Sequence, residues 1–167
     1  MVLALDVHYK DDGSAKSVGI LFNWNDVQPK EILIEYINET DEYIPGEFYK
    51  RELPCLLKII EKVDLADLKG IVIDGYIYIN NEKGFGLGGH LWQTLNKQIP
   101  IIGVAKNFYH GNTKTVQQIY RGESKKPLYI SSVGIDLELA SDLIEQMQGE
   151  FRIPDLLKQL DVITKQE

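Results

Sequence analysis

A single cysteine in 167 residues excludes an internal disulfide and any cysteine-built metal centre. Cys55 sits among Leu56, Leu57 and Ile59 and reads as a small core residue. No stretch approaches the roughly 18 consecutive apolar residues of a membrane span, and no basic-then-apolar leader opens the chain. The expectation is a soluble, cytoplasmic protein with no membrane partner. Basic residues are outnumbered, 18 Lys and Arg against 25 Asp and Glu, and the formal net charge of −7 argues against a protein that coats nucleic acid indiscriminately. A local basic surface is still open to it, because Lys106, Lys114, Arg121, Lys125 and Lys126 face only Glu123 and form a candidate phosphate-facing segment. Repeats and low-complexity linkers are also missing. With 44% apolar and 26% charged residues, the chain is expected to form one domain over residues 1–167 around a single core, with monomer as the default state.

What is present centres on Gly70-Ile-Val-Ile-Asp74-Gly75, a β-branched run that breaks into an acid and a glycine. Such a run reads as a strand buried on both faces of a parallel sheet. Asp74 then stands at the carboxyl end of the strand, where open α/β sheets bind ligands. Asp74-Gly75 also fits a plain strand-ending turn. A second run, Val2-Leu-Ala-Leu-Asp6-Val7, repeats the pattern, and a buried carboxylate there needs a cation or a donor to meet it.

In order, Val2 to Val7, Ala15 to Trp24 and Ile32 to Ile37 read as a three-strand meander, with Asp11-Asp12-Gly13-Ser14 as its first turn. Tyr43 and Ile44 follow in a loop fixed by Pro45-Gly46, where an aromatic serves either as a plug for its own fold or as a wedge between another molecule's bases. From Glu47 to Val63, Phe48, Cys55, Leu56, Ile59 and Val63 recur at helical spacing, and Glu52 falls on the same stripe. Pro54 either opens that helix, leaving Glu52 as a cap, or lies inside it. Gly84, Gly86 and Gly89 spell G-x-G-x-x-G, but the irregular stretch before them lacks the tight strand-to-helix turn of a dinucleotide site. A short helix follows from His90 to Leu95. Pro100 to Ala105 is a buried strand ending at Lys106, Leu128 to Val133 the last strand, and Asp136 to Met147 the last amphipathic helix.

If the strands bearing Asp6 and Asp74 are parallel neighbours and the helix of Glu52 packs over them, three carboxylates meet at one point. Like charges that close need a cation between them. Oxygen ligands select Mg²⁺ or Mn²⁺, the setting for metal-assisted phosphodiester hydrolysis. Lys106 would then hold a phosphate; by itself it fits a solvated strand end equally well.

Five blocks together, Asp6 in its strand, Tyr43-Ile-Pro-Gly-Glu-Phe-Tyr-Lys-Arg-Glu52-Leu-Pro54, Ile73-Asp74-Gly75, Gly84-Phe-Gly-Leu-Gly-Gly-His-Leu91 and Pro100-Ile-Ile-Gly-Val-Ala-Lys106, resemble the endonuclease V family in order and spacing. The resemblance implies an α/β fold of the ribonuclease H-like type, a central mixed β-sheet flanked by helices. It implies a Mg²⁺-dependent endonuclease (Mn²⁺ also serving) that acts on DNA or RNA beside deaminated purines such as hypoxanthine, cutting the second phosphodiester on the 3′ side. By the same resemblance Asp6, Glu52 and Asp74 are metal-binding and catalytic acids, and Lys106 lies near the cleaved phosphate. Tyr43, Ile44 and Pro45 form a wedge, and Gly46, Gly75 and Gly86 line the pocket of an everted base, with His90 beside them.

Two departures stand out. Asn81-Glu82-Lys83 replaces the family's usual His-Pro-Arg, and Ser132-Val-Gly134 runs into Ile135-Asp136 where a late histidine is usual. Asp136 is therefore read as a fourth metal carboxylate or as a helix N-cap. The losses also keep open a non-catalytic lesion- or structure-binding protein, or a ribonuclease H-like nuclease with another nucleic-acid substrate.

Overall fold

The expected meander forms at the start of the chain, in a computed structural model that describes residues 1–167. Strands β1 (Val2–Tyr9), β2 (Ala15–Phe22) and β3 (Glu31–Ile37) pair antiparallel in sequence order. Helix α1 (Tyr49–Ile60), a short 3-10 turn at Leu65–Asp67, and strand β4 (Gly70–Asp74) follow. Helix α2 (Leu87–Thr94), strands β5 (Ile101–Ala105), β6 (Gln117–Ile119) and β7 (Leu128–Val133), and helices α3 (Leu137–Glu145) and α4 (Asp155–Lys165) complete the chain. One seven-stranded sheet results, in the order β3-β2-β1-β4-β5-β7-β6. β1, β4 and β5 run parallel in its middle, and β7 runs against β5.

Period-two alternation sorts the central strands between two apolar layers. Leu3, Leu5, Ile71 and Ile73 pack with Leu56 and Ile59 of α1 and Leu91 of α2 on one face. Val2, Ala4, Val72, Ile102 and Val104 meet Ala140 and Ile144 of α3 and Leu156 and Leu160 of α4 on the other. Each fully buried aliphatic side chain contributes about 2 kcal/mol. No helix is long and apolar enough to cross a membrane.

Two elements go beyond the sequence expectation. β6 is a three-residue edge strand, Gln117-Gln-Ile119, too short and polar to show alternation. α4 is a further helix beyond α3, with Leu156, Leu160 and Thr164 buried at four-residue spacing. Pro54 lies inside α1, which already starts at Tyr49, so Glu52 is a first-turn residue and not a cap ahead of the proline.

α4 is fastened by buried cations. Lys16, 3% exposed, donates from Nζ to the carbonyls of Ile163 (2.7 Å) and Gln166 (3.0 Å) at the helix's carboxyl end. Arg121, 5% exposed, spends its guanidinium on the carbonyls of Glu145, Met147, Gly149, Phe151 and Arg152, which hold the turn between α3 and α4. Arg121 therefore leaves the candidate phosphate-facing segment: it is an interior tie.

Candidate active site

Parallel pairing of β1 with β4 ends at Leu5 and Ile73, which puts Asp6, where β1 runs on beyond its partner, next to Asp74, the last residue of β4. Alternation aims both toward the α4 side, the side of Ala4 and Val72. Lys106 directly follows β5, and its Nζ stands 3.7 Å from Asp74 Oδ2. Asp6 Oδ1 accepts a hydrogen bond of 2.9 Å from the N–H of Val7. Glu52 comes from α1 on the opposite face, so the acids arrive from three elements and both sides of the sheet.

The chain leaving β4 can turn across β5 because two glycines meet there. A Cβ on Gly103 would lie 2.5 Å from the Gly75 carbonyl oxygen and 2.7 Å from Ser131 Oγ, and Gly75 has φ +133°. The Gly75 N–H donates to the Val104 carbonyl (3.0 Å), and Ser131 Oγ accepts from the Ile77 N–H (3.0 Å).

Burial and neighbouring charge raise all three acids. Burial first, then the charges of Asp6 and Asp74, push Glu52 up to about 8. Burial, then Asp74, push Asp6 up to about 6, against opposing pulls from the Val7 N–H and Lys106. Asp74 is raised by burial while Lys106 pulls it back, and its side chain, 44% exposed, forms the rim of the cluster. Asp161 on α4 also adds to the upward shift of both Asp6 and Asp74.

Asp161 is the acid that sequence reasoning missed. Its side chain is 17% exposed and pairs with Lys165 Nζ at 3.1 Å, one turn along α4. Asp6, Asp74, Lys106 and Asp161 line one narrow cleft, floored by Val72 and Val104 and roofed by Leu157 and Leu160. Of the two readings of Asp136, the metal carboxylate is corrected and the helix N-cap is the one the structure shows, with Oδ2 accepting from the Leu139 N–H at 3.3 Å. The topology explains this: β7 runs antiparallel to β5, so the chain leaving β7 emerges at the end of the sheet opposite Asp74 and Lys106. The signal for Asp161 was legible, since Leu156, Leu160 and Thr164 share a helical stripe that begins just after Pro154.

The donor set fits a hard divalent cation, being all oxygen and rich in negative charge that only a cation relieves. As the side chains stand, no three carboxylate or imidazole groups are grouped closely enough to share one ion. Mg²⁺ does not require such a cage, since it takes one or two carboxylates and fills its shell with water and phosphate oxygens.

A second, open basin of about 1010 Å³ adjoins these strand ends. Tyr43, Gly46 and Phe48 form one wall, Tyr76, Tyr78, Ile79 and Gly86 another, and Asn107, Phe108 and Tyr109 the third. Of the residues expected to meet a substrate, Tyr43, Gly46 and Gly86 line it, and Ile44 and Pro45 are exposed beside it. Gly75 is not among the lining residues. The Gly86 N–H is taken by the Ile77 carbonyl. His90 stacks on Tyr49 (centroids 3.7 Å apart, planes at 14°) and meets Phe85 edge-on, which makes it a brace between α1 and α2. Burial holds its imidazole below the usual range.

A profile of the family described as Endonuclease V matches residues 1–124. The chain belongs to the endonuclease V family. Endonuclease V of Trichormus variabilis is 30% identical over 96% of this chain and 80% of its own length, and that of Saccharolobus islandicus is 30% identical over 98% and 81%. Among solved structures, human ENDOV superposes with TM-score 0.78 at 22% identity, covering 98% of this chain and 82% of the human one. Ciona intestinalis Endonuclease V, in complex with a 24mer DNA containing an inosine followed by a ribo-adenosine, superposes with TM-score 0.82 at 17% identity, over 98% and 83%. These likenesses, with the mixed sheet and its flanking helices, establish the ribonuclease H-like fold.

The family's usual His-Pro-Arg gives way to a stretch with a structural job. Asn81 Oδ1 accepts from the N–H groups of Thr113 (2.8 Å) and Lys114 (2.9 Å), fastening the loop after β5 to the loop after β4. Where the family's late histidine is missing, an acid from α4 stands beside Asp6 and Asp74 instead.

Proposed function

We propose that this chain is a divalent-metal-dependent endonuclease that hydrolyses nucleic acid at the second phosphodiester 3′ of a deaminated purine, acting as a monomer in the cytoplasm. The observation that carries the reading is that Asp6 and Asp74 stand side by side on neighbouring parallel strands with Lys106 Nζ 3.7 Å from Asp74, close enough that the charges of the two acids add to burial in pushing Glu52 up. Family membership and the inosine-containing DNA bound by the Ciona relative support the substrate class.

Asp6, Glu52 and Asp74 would supply the negative charge that draws in Mg²⁺ or Mn²⁺, one or two of them as direct ligands, with Asp161 as the neighbouring acid in place of Asp136. When bound, the ion supplies activation of water and stabilisation of charge on the leaving oxygen. Lys106, within ion-pair distance of Asp74, is placed to bind a non-bridging phosphate oxygen and neutralise charge as it develops. Leu157 and Leu160 cover the inner part of the cleft with apolar surface, while Asp74 and Lys106 stay open to solvent at its rim. Gly46, Gly86 and the aromatics around them offer an everted purine a place to stack.

The test is incubation of the protein with an inosine-containing oligonucleotide and Mg²⁺. A single nick near the inosine, absent with Glu52→Gln, is expected. Binding without any cut in Mg²⁺ or Mn²⁺ would overturn the catalytic reading and leave a lesion binder.

A further inference from the structure

The first turn of α1, which carries Glu52, has little of its own to hold it. Its N-cap, Phe48, makes no side-chain hydrogen bond, and Pro54 inside the helix has no N–H to give the Lys50 carbonyl one turn back. Two ring contacts take over. Tyr49 stacks on His90 of α2, and the Arg51 guanidinium carbon lies 3.8 Å from the centre of the Tyr9 ring.

Tyr9 closes β1, three residues beyond Asp6. Alternation turns it to the α1 side with Val7, while Asp6 faces the α4 side. One strand therefore carries Asp6 directly and, through a ring on its other face, supports the turn that brings in Glu52.

The contact is not what packing alone would select. Tyr9 Oη, with the Cys55 thiol beside it, and Arg51 Nε are both buried, and neither meets the geometry of a hydrogen bond. Buried donors left unpaired are destabilising, so a phenylalanine under an aliphatic chain would fill this space better. A guanidinium laid flat on a ring exchanges those bonds for a fixed plane and a cation–π attraction. Burial, then the charge of Glu52, hold the Tyr9 phenol above its usual range, so the carboxylate stands within electrostatic reach of the ring. Arg51 in turn pulls against the burial and the acids that raise Glu52.

We propose that Tyr9 is a positioning residue whose ring clamps Arg51 and so fixes where Glu52 stands relative to Asp6. The inference rests on reading Asp6 and Glu52 as parts of one metal centre, and adds to it what holds them in register.

The test compares the full chain with its Tyr9→Leu, Tyr9→Phe and Arg51→Met variants in two measurements. The first is Mn²⁺ uptake followed by electron paramagnetic resonance. Tyr9→Leu and Arg51→Met should each weaken uptake on the order of tenfold, and the two together no more than either alone, because they break one chain of contacts. Tyr9→Phe should stay within about twofold of the parent, since the ring and not the hydroxyl makes the stack. The second measurement is thermal unfolding without divalent ions at pH 8. Glu52→Gln relieves the crowding of the acids and should raise Tm in the parent, but by roughly half as much or less beside Tyr9→Leu, where the carboxylate is already free to move away. A merely structural tyrosine would lower Tm by itself and leave the gain from Glu52→Gln equal in both backgrounds.

Equal gains, uptake indifferent to the loss of the ring, or a Tyr9→Phe variant as impaired as Tyr9→Leu would overturn the proposal. The two readings fail separately. No uptake by the parent defeats the metal centre, and the comparison of Tm gains still decides the clamp. Uptake that Glu52→Gln abolishes and Tyr9→Leu leaves untouched defeats the clamp alone.

Discussion

Arg152 donates from Nη2 to the backbone carbonyl of Lys106, and the same nitrogen donates to the carbonyl of Pro127 at 2.7 Å. The turn between α3 and α4 is thereby tied to the base of the one lysine in the acidic cleft. This bond links the last helix, with Asp161, to the strand ends that carry Asp6 and Asp74.

Lys106→Ala should lower the nicking rate on the order of a hundredfold, with little change in substrate affinity, because its ammonium acts where charge develops. Arg152→Ala, by releasing the Lys106 backbone, should lower the rate on the order of tenfold, and Arg152→Lys should recover part of it. Single-turnover kinetics at saturating substrate measure both. An Arg152→Ala variant with unchanged rate would leave the bond a purely structural one.

Glu52 and Asp6, raised to about 8 and about 6, bind protons more tightly in the folded chain than in the unfolded one. Between the ordinary carboxylate range and about pH 8 the folded state holds protons the unfolded state has released, so without divalent ions stability falls as pH rises through that window. Glu52→Gln should flatten the fall and raise Tm at pH 8. Mg²⁺, competing with those protons, should raise Tm more at pH 8 than at pH 5. Thermal denaturation at both pH values with and without Mg²⁺ checks the sign.

Asp161→Asn should weaken divalent-ion dependence and slow nicking, because it removes an acid that adds to the shifts of Asp6 and Asp74. Asp136→Ala should leave nicking intact and cost about 1 kcal/mol of stability through its lost cap. Urea denaturation and nicking assays on the pair separate the cap from the cleft.

Asp6 and Asp74 were readable because a carboxylate in or at the end of an apolar run conflicts with burial, and the conflict survives without knowing the sheet. Parallel pairing of β1 with β4 was a condition that the runs could not supply, and the structure meets it. The two readings of Asp136 stayed open because its spacing to the last predicted strand says nothing about strand direction, and only the antiparallel course of β7 moves it to the far end and leaves the cap. Arg121 was misread because composition counts a guanidinium as surface charge, while its carbonyl partners lie 24 to 31 residues further along the chain. The aromatic wall was invisible for a related reason: Phe108 and Tyr109 gain meaning only when Asn81 and Asn112 fold their loop against the one after β4.

The most direct measurement is Mn²⁺ titration followed by electron paramagnetic resonance, in which free Mn²⁺ signal is lost on binding. The wild-type chain should take up Mn²⁺ more tightly at pH 8 than at pH 5, and Asp6→Asn, Glu52→Gln and Asp74→Asn should each weaken uptake on the order of tenfold or more. Uptake unchanged by all three substitutions, or no uptake at pH 8, would contradict a metal-dependent centre at these strand ends.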